Sequence, residues 1–511
     1  MRLKYNFSSD QFIGKVKSIL WPIHKNELRK FIPMMSLFFL ISLVYNMLRP
    51  VKSGMTVATQ NSGAEIIAYL KVYAVLPGAF LFTFIYTKLL SRFDREKVFY
   101  MMISIFIAFY IAYVLFLYPN TDTIMLSDTA IWLENVLPTG FAGLINMLKY
   151  WHHSLFYASV ELWGTVVLSM LFWGFANEVN TVGEATRFYA ILSMTANFTA
   201  MLSSVIGKYI WETDFSAVFV SSVSRNELSL DLNIAIVVVI AILIMALFRW
   251  MNTGCKDIFR EEYYSASKDK AKKPKMSLTE CFRFVAKSPY LIYVAVIVFS
   301  YNVVYNMTDI IWSQLVKDRF PNDVAGFTVF QNDVQFYIGA LAIVMAFLTS
   351  YIIRRFGWKF TALLTPIGLM VTSLSFFPLL IFKDTIVTDY ALLLFKGILG
   401  GDILFITVMI ATTQKIFTRA CKFTVFDSSK EIAYIPICTD GKRKSKAAID
   451  GIGSRMGKSG GSLMFQGLLI SFSSMTAALP AVAVIIILIT GIWIYSVLAL
   501  SKEMNKLAES S

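Results

Sequence analysis

The run Asp450 to Leu463, DGIGSRMGKSGGSL, sets a Gly-Lys-Ser among glycines, the residue types that cradle a phosphate in a nucleotide-hydrolysing loop. Such a loop keeps the GxxxxGK spacing so that successive backbone N–H groups curl round the anion. With Gly457 and Lys458 as the pair, the first glycine would fall at position 452, which is Ile452; Gly451 is one residue too far and Gly453 one too near. No strand ending in aspartate accompanies the run, and it opens an apolar stretch. The chemistry left to Lys458 is that of a positive charge held among apolar residues.

Other ionisable residues share that setting. An ion inside a bilayer helix costs at least about 2.5–3.5 kcal/mol on insertion scales, so each one needs a reason. In the first half of the chain they are Arg49 and Lys52 in YNMLRPVKSGM, Glu65 and Lys71 in SGAEIIAYLKVYAVLPGA, and Glu161 in YASVELWGTVV. In the second half they are Asp309 in YNVVYNMTDIIW, Asp333 in FQNDVQFY, Lys396 and Asp402 in FKGILGGD, and Lys458. Arg49, Lys52 and Glu65 lie near the ends of their apolar stretches, where snorkelling to the interface is the alternative. Asp333 has pairing with Lys396 as its structural alternative. Glu161, deep between aromatic and small residues, is the strongest candidate for a functional carboxylate. Lysines and arginines round a cavity suit a polyanion, and interspersed carboxylates suit charge balance or proton coupling. Tyr45, Tyr73, Tyr157, Trp163, Tyr301 and Tyr305 offer faces on which a base can stack, or serve only as packing.

The elements that position these charges follow from composition. The 511 residues are 57% hydrophobic and only 16% charged, with a mean hydropathy of +0.62. A soluble domain carries roughly a quarter charged residues, so this is a polytopic membrane protein. Twelve stretches are long enough to span a bilayer, near 32–55, 64–89, 98–118, 153–177, 184–210, 231–250, 289–314, 326–353, 358–382, 387–414, 446–472 and 477–499. The lysine-rich segment 251–288 divides them into bundles of six helices, 32–250 and 289–499, flanked by an arm, 1–31, and a tail, 500–511. The arm is basic and shows no cleavable leader. Clear sequence identity between the halves is not apparent.

The arm, LSRFDREK at 90–97, the linker, RRFGWK at 354–359 and KRKSK at 442–446 all fall on one side. The positive-inside rule makes that side cytoplasmic, with both termini on it, and accounts for the net charge of +14 without nucleic acid. The segment 119–152 has room for a short interfacial helix in GFAGLINMLKYW. Cys255, Cys281, Cys421 and Cys438 form no CxxC pair and have no neighbouring histidines, which argues against a metal site or cofactor. Six plus six helices round a cytoplasmic linker is the plan of the major facilitator class, with substrate near the midplane between the halves.

Four blocks then resemble a known family: SGAEIIAYLKVYAVLPGAF, VELWGTVVLSMLFWGFANEVNTVGEATRFY, FDSSKEIAYIP and KAAIDGIGSRMGKSGGSL. They are similar to the nucleotide transporters of plastids and obligate intracellular bacteria, the non-mitochondrial ATP/ADP translocases, and the likeness runs from WPIHKNELRKFIPM to the last span. The resemblance implies an inner-membrane carrier that exchanges ATP for ADP, exchanges other nucleotides, or imports nucleoside triphosphates with protons. It carries functional roles onto Lys52, Lys71, Glu161, Asp309 and Lys458. The chain departs from the family pattern at LRPVKSG, where Ser53 replaces an acid, at Asp309, usually glutamate, with Ser313 where lysine is usual, and at FKGILGGD. These departures favour import of nucleotides for biosynthesis over plain ATP/ADP exchange.

The reading is a nucleotide importer working by alternating access, with proton symport or counter-exchange left open. Its substrate-binding candidates are Lys52, Lys458, Arg49, Lys71, Glu161, Asp309 and Asn302, and its coupling candidates Glu161, Asp309, Asp333 and Asp402. Strict ATP/ADP antiport, or carriage of NAD or another nucleotide-like anion, are the alternatives. No catalytic residue is expected, and a monomer is.

Overall fold

The computed structural model describes residues 23–59, 63–215, 224–254, 278–381, 403–437 and 439–509. Every regular element among them is helical. Eleven helices have the length and hydropathy to cross a membrane: α1 (Lys25–Val57), α2 (Ile66–Leu90), α3 (Arg95–Leu117), α4 (Trp151–Val179), α5 (Gly183–Glu212), α6 (Arg225–Gly254), α7 (Pro289–Arg319), α8 (Val324–Thr349), α9 (Tyr351–Ile381), α10 (Ile403–Ala433) and, last in the chain, α12 (Met475–Lys506). The remaining long helix, α11 (Ser454–Phe472), carries Arg455, Lys458 and a run of glycine and serine that lower its hydropathy.

The apolar side chains form two main cores. One gathers residues between Ile23 and Met251, together with Ala325. The other gathers residues between Cys281 and Leu500, joined by the outer end of α1 and the start of α2, from Val57 to Leu70, and by Tyr157. A helix over Leu278–Ala286 forms the last part of the linker. Among the described residues the apolar interior is thus divided mainly into two parts.

Element bounds differ from the sequence reading where polar residues continue a helix. The break expected between the eighth and ninth spans at 354–359 is narrow: the helical run Val324–Ile381 is interrupted at Gly357 (φ +79°), a left-handed conformation that glycine adopts without Cβ strain. The tenth span, expected over 387–414, has its described part at Ile403–Ala433. Its buried Gln414 donates to Ser373 at 2.7 Å, so helix continues where composition alone resembled a loop. A short helix, Ala142–Lys149, forms in the segment where one was expected, next to a second helix, Ser127–Val136.

Wide π-turns interrupt five helical runs, at Leu70–Val75, Tyr113–Leu117, Gly164–Phe172, Lys422–Phe426 and Ala447–Gly453. A π-turn rotates the residues on either side of it and recurs at functional sites. Four of the five lie on α2, α4, α10 and the entry to α11, the helices that carry Lys71, Glu161, Arg419 and Lys458.

The halves meet most closely on the side away from the basic segments. There the Ala64 N–H donates to Gln314 Oε1 at 2.9 Å, and Gln466 donates to the Ala68 carbonyl at 3.0 Å. Lys208 of α5 pairs with Asp333 of α8 at 2.9 Å. Tyr69 donates to the Gly140 carbonyl at 3.0 Å, docking the 119–152 segment onto this closure. On the basic side the ion pairs named here stay within one half, as in Lys30–Glu184 at 3.0 Å and Lys430–Asp450 at 3.1 Å. These ties close the molecule at the end away from the basic segments.

Candidate functional site

A cavity of about 140 Å³ lies between the halves, inward of that closure. Among the described residues, helices α1, α2, α4, α7, α8, α10 and α11 line it with Arg49, Lys52, Lys71, Lys415, Arg419 and Lys458 against only Glu161 and Asp309. Six cations and two carboxylates leave a surplus of four positive charges. In a membrane interior that surplus is unfavourable unless an anion balances it.

The two carboxylates organise the lysines. Glu161 of α4 accepts an ion-paired hydrogen bond from Lys52 of α1, whose ammonium also lies 4.0 Å from the centre of the Tyr157 ring. Asp309 of α7 pairs with Lys415 of α10 at 2.9 Å and with Lys71 of α2 at 3.9 Å. The Lys415 ammonium sits 3.2 Å from the centre of the Trp312 ring, and the Trp312 N–H donates to Thr412 at 2.9 Å, which fixes the ring. Lys71 also donates to the Asn306 amide oxygen, a tie between the halves at mid-depth. Glycines make these approaches possible: a Cβ on Gly457 would come within 2.8 Å of Asn302 Cβ, and one on Gly461 within 3.1 Å of Val303 Cα. The glycines of the GKSGG run therefore bring α11 against α7 and turn Lys458 into the cavity.

Arg49, Arg419 and Lys458 stand apart from these pairs. Among the described residues none of the three has a carboxylate within ion-pair distance, and the Arg419 Nε is buried without an acceptor. The rings at hand are Tyr45, Tyr157 and Tyr305, which share the cavity wall.

The structure brings together Arg49, Lys52, Lys71, Glu161, Asp309 and Lys458 from the sequence-derived set. It places Asn302 behind the wall, donating to the Val298 carbonyl at 2.8 Å, with Asn306 one turn later in its stead. Asp333 lies outside the cavity in the outer pair with Lys208, and Glu65 at the outer start of α2. Lys396 and Asp402 lie outside the described residues. Of the aromatic candidates, Trp163 donates to the Ile41 carbonyl at 3.2 Å inside the first core, Tyr301 is buried against Phe426, and Tyr73 is exposed. Sequence reasoning missed Lys415 and Arg419, because the tenth span was ended at 414. Their i, i+4 spacing, continued by Lys422, is the signal of one helical face that would have found them.

Chemically, the cavity holds a dense positive charge, two ion-paired carboxylates and three tyrosines. Among the described residues, no cluster of histidine, cysteine and carboxylate is suited to a metal.

A family model described as TLC ATP/ADP transporter matches residues 7–504. The ADP,ATP carrier protein 1 of Chlamydia muridarum is 37% identical over 498 residues, covering 97% of this chain and 92% of that relative. The ADP,ATP carrier protein 1 of Rickettsia bellii is 33% identical over 509 residues, covering 98% and 99%. Among solved structures, the inward-open conformation of the xylose transporter XylE from E. coli matches with a TM-score of 0.52 at 12% identity, covering 92% of this chain and 96% of that one. That likeness places the fold in the major facilitator type.

Proposed function

We propose, from the premise that the chain belongs to the TLC ATP/ADP transporter family, that it carries adenine nucleotides across a bacterial inner membrane by alternating access. The observation that carries this reading is the surplus of four positive charges in a cavity between the halves, matched to a nucleoside triphosphate of charge near −4. The relatives named as ADP,ATP carriers support adenine as the base. The basic side is the cytoplasm, and both termini lie on it. Each chain contains both halves and so a whole cavity, and it works as a monomer.

Pockets that enclose ligands of drug size run to roughly 300–1,000 Å³. A cavity of 140 Å³ admits a nucleotide only when the halves swing apart. The ties at the outer end and their scarcity at the basic end make the basic side the one that opens from this arrangement. Arriving phosphates compete with Glu161 for Lys52 and with Asp309 for Lys71 and Lys415. The two released carboxylates then take a proton or await the next exchange, which makes Glu161 and Asp309 the coupling groups.

Labelled ATP, ADP, GTP, UTP, CTP and NAD are offered to bacteria expressing the protein, with and without preloaded ADP and a protonophore. Saturable ATP uptake is expected, abolished by Lys458→Ala. Stimulation by preloaded ADP marks exchange, whereas collapse under protonophore without such stimulation marks proton symport. Absence of nucleotide uptake, or normal uptake by Lys458→Ala, overturns the reading.

A further inference from the structure

The two halves share more than a helix count. VYNMLRPVKS at 44–53 on α1 and VYNMTDIIWS at 304–313 on α7 begin with the same tetrapeptide and end on serine. Ser53 donates to the Arg49 carbonyl at 3.3 Å, and Ser313 to the Asp309 carbonyl at 2.8 Å. Asn46 donates to Thr199 of α5 at 3.1 Å, and its own carbonyl accepts from Gln335 of α8 at 3.0 Å. Asn306 donates to Ser462 of α11 at 2.7 Å, and its amide oxygen accepts from Lys71 of α2. Each asparagine therefore binds the fifth helix of its own half and the second helix of the other. The fourth helices agree as well: Glu161 precedes the π-turn Gly164–Phe172, and Arg419 precedes the π-turn Lys422–Phe426, at the same separation. Halves related by an axis along the membrane normal repeat positions in this way.

What differs between equivalent positions is the sign of the charge. Where α1 has Arg49, α7 has Asp309; where α4 has Glu161, α10 has Arg419. Each half then spends its one carboxylate tying its first helix to its fourth, as Lys52–Glu161 and as Asp309–Lys415. One guanidinium is left over in each half. Arg49 lies over the Tyr45 ring, 5.8 Å from its centre, and Arg419 over the Tyr305 ring at 5.1 Å. The two tyrosines are the equivalent residues of the repeated tetrapeptide.

We infer that Arg49 and Arg419 form a two-jawed clamp, one jaw from each half, that grips a chain of phosphates and selects it over a single phosphate. A guanidinium presents a planar fork of donors that fits phosphate oxygens two at a time. The tyrosine beneath each jaw holds its plane. Lys52, Lys71 and Lys415 are already engaged by carboxylates, so the arginines, like Lys458, meet the anion without first breaking an ion pair. One phosphate group satisfies one jaw. Two or three in a row reach both, and the bridge draws the halves together. This inference rests on the nucleotide-carrier reading above.

The test uses the full-length purified protein, with inorganic tripolyphosphate and inorganic phosphate as probes in calorimetric titrations and ATP uptake measured alongside. Arg49→Gln and Arg419→Gln are each expected to weaken tripolyphosphate binding about ten- to hundredfold, while binding of single phosphate changes less than about threefold. Arg419→Lys, which keeps the charge and loses the fork, is expected between these and the parent, and the ATP KM should rise in the same order. Should a glutamine variant fail to fold, Arg49→Lys and Arg419→Lys retain the buried charge and carry the test. Tripolyphosphate binding unchanged in the arginine variants, or weakened equally with single phosphate, overturns the clamp. Loss of the carrier reading is a separate outcome, read as no ATP uptake by the unmodified protein.

Discussion

Replacing Lys52 by methionine keeps the length of the side chain and removes its charge, leaving Glu161 without its partner. Lys52 is only 4% exposed and its pair with Glu161 lies in the wall of the first half, so the interaction belongs with buried ion pairs. Breaking such a pair from one side costs about 3–5 kcal/mol, mostly because the other charge stays buried and uncompensated. The Glu161 side chain retains 28% exposure toward the cavity, which favours the lower end, about 3 kcal/mol. Glu161→Gln leaves a buried ammonium over the Tyr157 ring and should cost a comparable amount. The double variant removes both charges together, so its loss should fall short of the sum by about 2 kcal/mol, a factor of about thirty in the folded-to-unfolded ratio. Denaturant titration of the four proteins in mild detergent, followed by helical circular dichroism, measures the cycle. ATP uptake should be lost in all three variants, since recovered packing does not restore the phosphate site. Additive losses would refute the assignment of Lys52 and Glu161 to one buried pair.

Asp333→Asn tests whether this acid carries protons. As one member of a part-exposed pair with Lys208 it contributes only about 0.2–1 kcal/mol, so uptake KM should move less than about fivefold and the pH profile of uptake should keep its shape. A changed pH profile would return Asp333 to the coupling groups. Gly461→Leu forces a branched side chain against the Val303 backbone, and should destabilise the protein by about 1–3 kcal/mol with loss of uptake, whereas the same change at Gly467, which has open space around it, should be tolerated. Thermal unfolding in detergent reads both.

The chain's solvent, its class and most of its site were legible in the sequence. Apolar stretches of the right length, basic segments on alternate turns and isolated ions among apolar residues each report directly on transfer from water to hydrocarbon, a property of local composition. Glu161 and Lys458 stood out for that reason. Lys415 and Arg419 did not, because a polar stretch at a helix end reads as loop whenever its partners are distant in sequence. Asn302 and Asn306 differ by one helical turn, and composition does not say which of the two faces the cavity.

The sequence alone determined that charges were buried; only the tertiary structure decided which of them share a cavity and how they pair. Lys52 and Glu161 are separated by 109 residues, and Lys208 and Asp333 by 125. Pairing depends on helix rotation, which π-turns and glycine contacts set and which no hydropathy pattern encodes. The GKSGG run shows the division. Its spacing excluded a hydrolytic loop, and its glycines marked close packing. Which residues they would pack against, and that Lys458 would emerge beside two arginines of opposite halves, followed from where α7 and α10 came to lie.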